Sequence, residues 1–214
     1  MGRENKNEAI AAFHRSQILK AAEKLFSEKG FDQTKIDDIS RASSYSRRTI
    51  YAYYKSKDDI LHHIIIQGLI TLKNDIEAAT TQDGDFETKY MAICHAMKKY
   101  QDECPHSFEK VGSADTSKLE SSAGSEAIDQ ILLLGTEINE LLAAFLREEK
   151  KNGILRHDAE PMISVYIIWS GITALLTLTK TKGRYISRQF SVSEDEFLDY
   201  GFRQIINSFL ETRI

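Results

Sequence analysis

The sequence predicts an all-α protein: an N-terminal three-helix unit in helix-turn-helix form, followed by a larger helical domain. Three observations carry this reading. Proline occurs only twice in 214 residues and interrupts none of the long periodic runs, and it is the residue a helix interior tolerates least. Apolar residues recur at helical rather than strand spacing along most of the chain. Charge is divided: residues 1–57 carry 12 Lys and Arg against 7 Asp and Glu, whereas 58–214 carry 16 against 25. A basic head on an acidic body directs an anionic polymer to the head alone. The head is placed at 9–56, with its helix-turn-helix at 35–54, and the body at 57–214.

A first helix is expected over 9–29. Ile18, Ala21, Ala22, Leu25 and Phe26 fall on one stripe of a 3.6-residue period. Gly30 stands where a left-handed C-terminal cap belongs, and Phe31 follows to pack back on the last turn. Thr34 is the expected N-cap of a second helix ending near Ser43, with Asp37 three residues on and Ile36 and Ile39 facing inward. Ser46 caps a third helix through Tyr53, with Ile50 and Tyr54 on its inner side. Ser56 caps a long fourth helix over 57–79, whose Asp58 and Asp59 suit the helix dipole. After a loop at 82–85 comes a helix over 86–100. The stretch 102–124 is the least periodic part of the chain and reads as a loop with one short helix around 107–112. A helix over 125–152 stops at Gly153. Another over 158–181 is capped by Asp158 and admits Pro161 in its first turn, and 182–192 reads as a polar connector. Ser193 with Glu196 forms a capping box for a last helix that runs to the C-terminus.

Chemistry concentrates in 34–57. A helix that reads DNA needs a packed inner face, N-terminal residues that reach base edges, and flanking groups that grip phosphates. Arg47, Arg48 and Thr49 lie in the first turn after Ser46. An arginine holds guanine bidentately, and a threonine methyl touches that of thymine. Tyr51, Tyr53, Lys55, Lys57 and the hydroxyl of Thr34 are phosphate candidates, and Lys35 is placed to reach either target. Double-stranded DNA is therefore the leading partner. The segment from Arg15 to Leu61 resembles the TetR (tetracycline-repressor-like) family of bacterial transcription regulators. The resemblance rests on ILKAAEKLFSEKGF, the threonine-led turn before Ile36, Asp38-Ile39, and Ser46…Thr49-Ile50-Tyr51-x-Tyr53-Tyr54-x-Ser56-Lys57-Asp58-x-Ile60-Leu61. It implies phosphate contacts at Tyr51 and Lys57 and base contacts around 46–49. The chain departs from the family in the turn, where Ser43-Ser44-Tyr45 replaces Ala-Gly-Val, so Ser44 is expected in a backbone shape that glycine adopts more cheaply. Arg48 replaces a residue that is usually small and adds a cation to the reading turn.

The resemblance also implies a helical body that binds a small ligand and dimerises through its last two long helices, so that two heads meet a palindromic operator. The dimer stripe is expected at Ile167, Gly171, Ala174, Leu175 and Leu178, and at Phe202, Ile205, Ile206 and Phe209. A pocket is expected among Ile65, Leu69, Tyr90, Met91, Cys94, Met97, Leu134, Leu141, Phe145, Tyr166 and Trp169, whose few polar neighbours suit an apolar or aromatic effector. Cys94, His95, Cys104 and His106 are metal-ligand types, but their spacings match no zinc pattern, and no metal or cofactor is expected. The absence of a nucleotide loop, a paired-carboxylate site and a nucleophile elbow argues against an enzyme. Ser164, Ser170, Thr173 and Thr177 interrupt the longest apolar stretch, so no membrane partner is expected. The polar N-terminus reads as no secretory signal, which makes the cytoplasm the expected location. The expected function is repression released by a ligand. The alternative is an architectural or division-linked DNA binder of the same fold without an effector.

Overall fold

The computed structural model describes residues 2–113 and 125–211, with side chains from Lys6 onward. Among the described residues every regular element is a helix: α1 (Gly2–Lys29), α2 (Ile36–Ser43), α3 (Arg47–Tyr53), α4 (Lys57–Thr81), α5 (Phe86–Glu103), α6 (Pro105–Gly112), α7 (Glu126–Lys151), α8 (Pro161–Phe190) and α9 (Glu194–Asn207). The all-α class is as the sequence predicts. An isolated antiparallel bridge joins Leu155 to Leu210. The chain divides into two compact units, Met1–Leu69 with Glu103–Leu132, and Ile70–Asp102 with Leu133–Ile214. The loop expected at 102–124 holds the end of α5 and α6 up to Gly112, and its remainder beyond Ser113 lies outside the described residues.

In the first unit, Ile18 and Ala22 of α1, Ile39 of α2 and Ile50 of α3 are fully buried. Each large apolar side chain so buried contributes about 1.5–3 kcal/mol. Gly30 caps α1 at φ 86°, and the Phe31 ring stands edge-on to Phe26 at 5.1 Å. The cap of α2 differs by one residue from expectation. Lys35 is the cap residue, and its backbone N–H donates to Asp38 Oδ2 at 2.9 Å. Thr34 turns its hydroxyl back to α1 instead, donating to the Gly30 carbonyl at 2.8 Å. Ser44 takes the left-handed shape that its place in the turn demands, at φ 61° and ψ 19°. The Ser40 hydroxyl donates to the Tyr45 carbonyl at 2.6 Å and fastens the turn. Ser46 caps α3 by accepting from the Thr49 N–H at 3.1 Å, and Ser56 does the same for Asp59 at 3.0 Å. The short helix α6 opens with Pro105 rather than near Ser107, since proline is pre-set for a first helical position.

In the second unit, the polar connector expected at 182–192 is helical up to Phe190. Lys, Arg and Gln are good helix formers, and Gly183 and Ile186 are buried there. A Cβ on Gly183 would meet Glu194 Oε1 at 2.5 Å, so α9 lies tight against this end of α8. The cap of α8 is Glu160, whose carboxylate accepts from the Ile163 N–H at 2.8 Å. Asp158, the expected cap, instead pairs with Arg156 at 2.6 Å. The capping box of Ser193 and Glu196 opens α9, which stops at Asn207 rather than at the C-terminus. By length and composition α8 is apolar enough to cross a membrane, contrary to the sequence expectation, and 33% of its apolar window is buried. Serine and threonine interrupt such a run only weakly, because their hydroxyls bond back to the preceding turn, as Ser170 does to the Tyr166 carbonyl at 2.8 Å.

Candidate nucleic-acid interface and body crevice

The reading turn is built from α2 and α3. Ile50 and Tyr54 point inward, and Tyr54 is 2% exposed; burial pushes its phenol up to about 12. With those faces anchored, Ser46, Arg47, Arg48 and Tyr51 are left exposed, with Thr49 and Tyr53 half-buried. Lys35 and Lys55 are also exposed. Arg47 forms an ion pair with Asp37 of α2, through Nε to one carboxylate oxygen and Nη2 to the other. Arg48 makes no ion pair among the described residues and is exposed. The Thr49 hydroxyl shares a hydrogen bond of 2.9 Å with that of Ser46.

Three predicted contacts already serve the fold. Thr34 is 1% exposed, so its hydroxyl does not face solvent as a phosphate donor would. Lys57 Nζ donates to the carbonyls of Phe31 at 2.6 Å and Thr34 at 3.0 Å and lies 4.1 Å from the centre of the Phe31 ring. It clamps the α1–α2 turn. The Tyr53 hydroxyl meets His14 Nδ1 at 3.2 Å. Tyr45, where the family pattern has valine, packs its ring 4.9 Å from His14. Asp38 is held below the usual carboxylate range by Lys29, the Lys35 N–H and Arg41.

The body contains an apolar crevice lined by Tyr90, Ile93, Met97, Leu142, Phe145, Leu146, Val165, Ile168, Trp169 and Ile172, with a cavity of about 20 Å³. That is room for one water, which an apolar lining does not favour. Of the predicted pocket residues, Tyr90, Met97, Phe145 and Trp169 line it. Met91 lines a polar surface cleft with Glu87, His95 and Arg203 instead. Leu134 is buried elsewhere, and Leu141 is half-buried one position from the lining residue Leu142. Cys94 is fully buried, and burial pushes its thiol up to about 12. Tyr166 is 58% exposed, with its hydroxyl near Asn139 Nδ2 at 3.4 Å. Ile65 and Leu69 are buried in the first unit. The lining residues Ile93, Leu142, Leu146, Val165, Ile168 and Ile172 are legible in sequence only as core, since a helical stripe does not distinguish a filled core from a crevice.

The predicted dimer stripe divides. Phe202 and Ile206 are 0% and 2% exposed and belong to the protomer's own core. Gly171 admits Ile205 and Gly201 admits Leu175, where a Cβ would lie 2.9 Å and 2.6 Å from the facing side chain. These contacts bind α8 to α9 within one chain. Leu178 and Phe209 are half-buried. Ile167 is 52% exposed and Ala174 is exposed, and Ile163 and Tyr166 extend the same apolar face of α8.

Short helices in helix-turn-helix order, each anchored by one buried isoleucine, with a cationic first turn facing solvent, define the class: an all-helical helix-turn-helix protein with a separate helical body. A profile of bacterial regulatory proteins of the tetR family matches residues 18–64. The chain is 44% identical over 85 residues to the HTH-type transcriptional regulator HbdR of Aromatoleum sp. (strain CIB), a match over 40% of this chain and 33% of that protein. The chain thus spans about a third or less of the curated relatives it matches. The TetR-family regulator PfmR from Thermus thermophilus shares the fold at a TM-score of 0.67 and 22% identity, over 91% of this chain and 99% of that one. FadR from Bacillus subtilis, solved in complex with stearoyl-CoA, aligns at a TM-score of 0.70 and 15% identity, over 91% and 98% of the two chains. The tetR-family match thus covers the helix-turn-helix head, residues 18–64, and the solved structures show that the chain shares their fold over 91% of its length.

Proposed function

We propose that this protein is a sequence-specific DNA-binding transcription regulator, acting as a homodimer on a palindromic operator and released by an apolar or aromatic effector. The observation that carries the DNA reading is the exposed first turn of α3. It offers Arg47, Arg48 and Thr49 on a helix whose other face is anchored by fully buried Ile50. Tyr51, Lys35 and Lys55 flank it as phosphate contacts, and Tyr53, held to His14, positions the end of α3. Lys57 and Thr34 support the reading differently, by fixing the turn that aims α3. Dimerisation is supported by the apolar face of α8 at Ile163, Ile167 and Ala174. An effector would enter the crevice by displacing Trp169 or Phe145, because its free volume of about 20 Å³ admits no such ligand. FadR of Bacillus subtilis, solved with stearoyl-CoA, supports a long acyl chain as the first class to try.

A gel shift against the DNA upstream of the chain's own gene tests the core of this reading. Specific binding that weakens steeply with salt is expected; affinity equal to that for random DNA would sink it. The small cavity favours one other reading, a DNA binder of the same family without an effector. Trp169 is the only tryptophan in the chain and lines the crevice. Titration with stearoyl-CoA should change its emission and release DNA together. If no acyl-CoA or aromatic compound moves either signal, the effector-free reading is preferred.

A further inference from the structure

We propose that Asp37 determines specificity through Arg47: it fixes the guanidinium so that its remaining edge addresses one guanine of the operator. The proposal rests on the reading of the head as a DNA binder. Asp37 lies in the first turn of α2 and Arg47 opens α3. Arg47 Nε faces Asp37 Oδ1 and Nη2 faces Oδ2, so the carboxylate grips one whole edge of the fork. A planar guanidinium has five N–H donors. Those not committed to Asp37 include one on Nη1 and one on Nη2 that point the same way in the plane. Two parallel coplanar donors match O6 and N7 of guanine.

Two physical arguments favour orientation over the bland alternatives. The side chains of Arg47 and Asp37 are 63% and 44% exposed, and exposed ion pairs add little to stability. A carboxylate on a face that meets phosphates also weakens generic DNA affinity. Asp37 therefore has little to contribute except the direction of Arg47. Its neighbour Asp38 does not compete for that role, being taken by Lys29, Arg41 and the Lys35 N–H. Arg48 is left as the unconstrained cation of the turn.

The test uses the full chain. Preferred duplexes are selected from a random pool by the wild type. Wild type, Asp37→Asn, Arg47→Ala and the double variant are then titrated against the selected duplex and each of its single-base-pair substitutions. Asp37→Asn should lose roughly tenfold discrimination at one symmetry-related base pair, while its affinity for random DNA holds or rises. Arg47→Ala should lose the same preference, and adding Asp37→Asn to it should change nothing further. An Asp37→Asn profile equal to wild type overturns the inference and leaves the DNA reading intact. Additive losses, or losses at different base pairs, also overturn it, since Asp37 would then read a base itself. A selection that yields no preferred sequence overturns both readings. Arg47→Lys, which keeps the charge and loses the fork, decides the matter if Asp37→Asn does not fold: it should lose the same base pair, and a retained preference refutes the mechanism.

Discussion

Thr34→Val separates two roles for one hydroxyl. The side chain is 1% exposed. It donates to the Gly30 carbonyl at 2.8 Å and lies 3.4 Å from that of Leu25. Valine keeps the shape and the β-branch, so the backbone at 34 keeps its preference, and only the donor is lost. A bond of this kind contributes a net of about 0.5–1.5 kcal/mol. In a chain of this size, 1 kcal/mol moves Tm by about 2–4 °C, so Tm should fall by about 1–6 °C. Thermal and urea denaturation read the loss, and a DNA titration at two salt concentrations reads the rest. The expected result is lower stability with DNA affinity unchanged under conditions where both proteins are folded. An unchanged Tm with weaker binding and a salt slope smaller by about one unit would refute the argument and return Thr34 to the phosphates.

Ser44→Gly should raise the urea midpoint, because a serine at φ 61° sits in a backbone region that costs L-residues about 1–2 kcal/mol, of which glycine's own entropy cost returns about half. Asp38→Asn should flatten the acid limb of the stability curve. The Lys29 ammonium, then the Lys35 N–H and Arg41, depress the folded carboxyl below its ordinary 3.8, so its contribution is complete above that pH and is lost as pH falls through the folded value; a limb identical to wild type would refute this. Ile167→Asp should yield a folded monomer by sedimentation, since Ile167 is 52% exposed. Phe202→Ala should instead cost about 3–5 kcal/mol in chemical denaturation, its ring being fully buried in the protomer.

The head is legible in sequence because its signals are local. A cap and an inward isoleucine each occur within four residues of the group they satisfy, so Gly30, Ser46 and Ile50 read directly from spacing, whereas the left-handed shape at Ser44 follows from the resemblance, whose turn has glycine there. The errors there are one-residue errors with consequences. Placing the cap at Thr34 pairs it with Asp37, whereas the actual cap at Lys35 pairs with Asp38 and releases Asp37 toward Arg47. No periodicity shows that ion pair, because its partners lie ten residues apart on different helices.

The body is legible as helices but not as surfaces, and α8 shows why. Its apolar residues serve three neighbours at once. Val165, Ile168 and Ile172 turn to the crevice, Gly171 and Leu175 to α9, and Ile163 and Ile167 to solvent. A helix apolar on most of its circumference has one broad stripe in sequence, and only the packed neighbours divide it. Phe202 and Ile206 of α9, assigned to a dimer face by the resemblance, lie inward for the same reason. The division also separates two explanations of the span-like character of α8. An apolar face in lipid would be continuous around the helix, whereas here α9 and the crevice side chains already occupy two sectors. What remains exposed along its first turns is a strip led by Ile163 and Ile167. Ile167→Asp addresses that strip alone, so a variant that stays dimeric would move the interface elsewhere without disturbing the reading of the head.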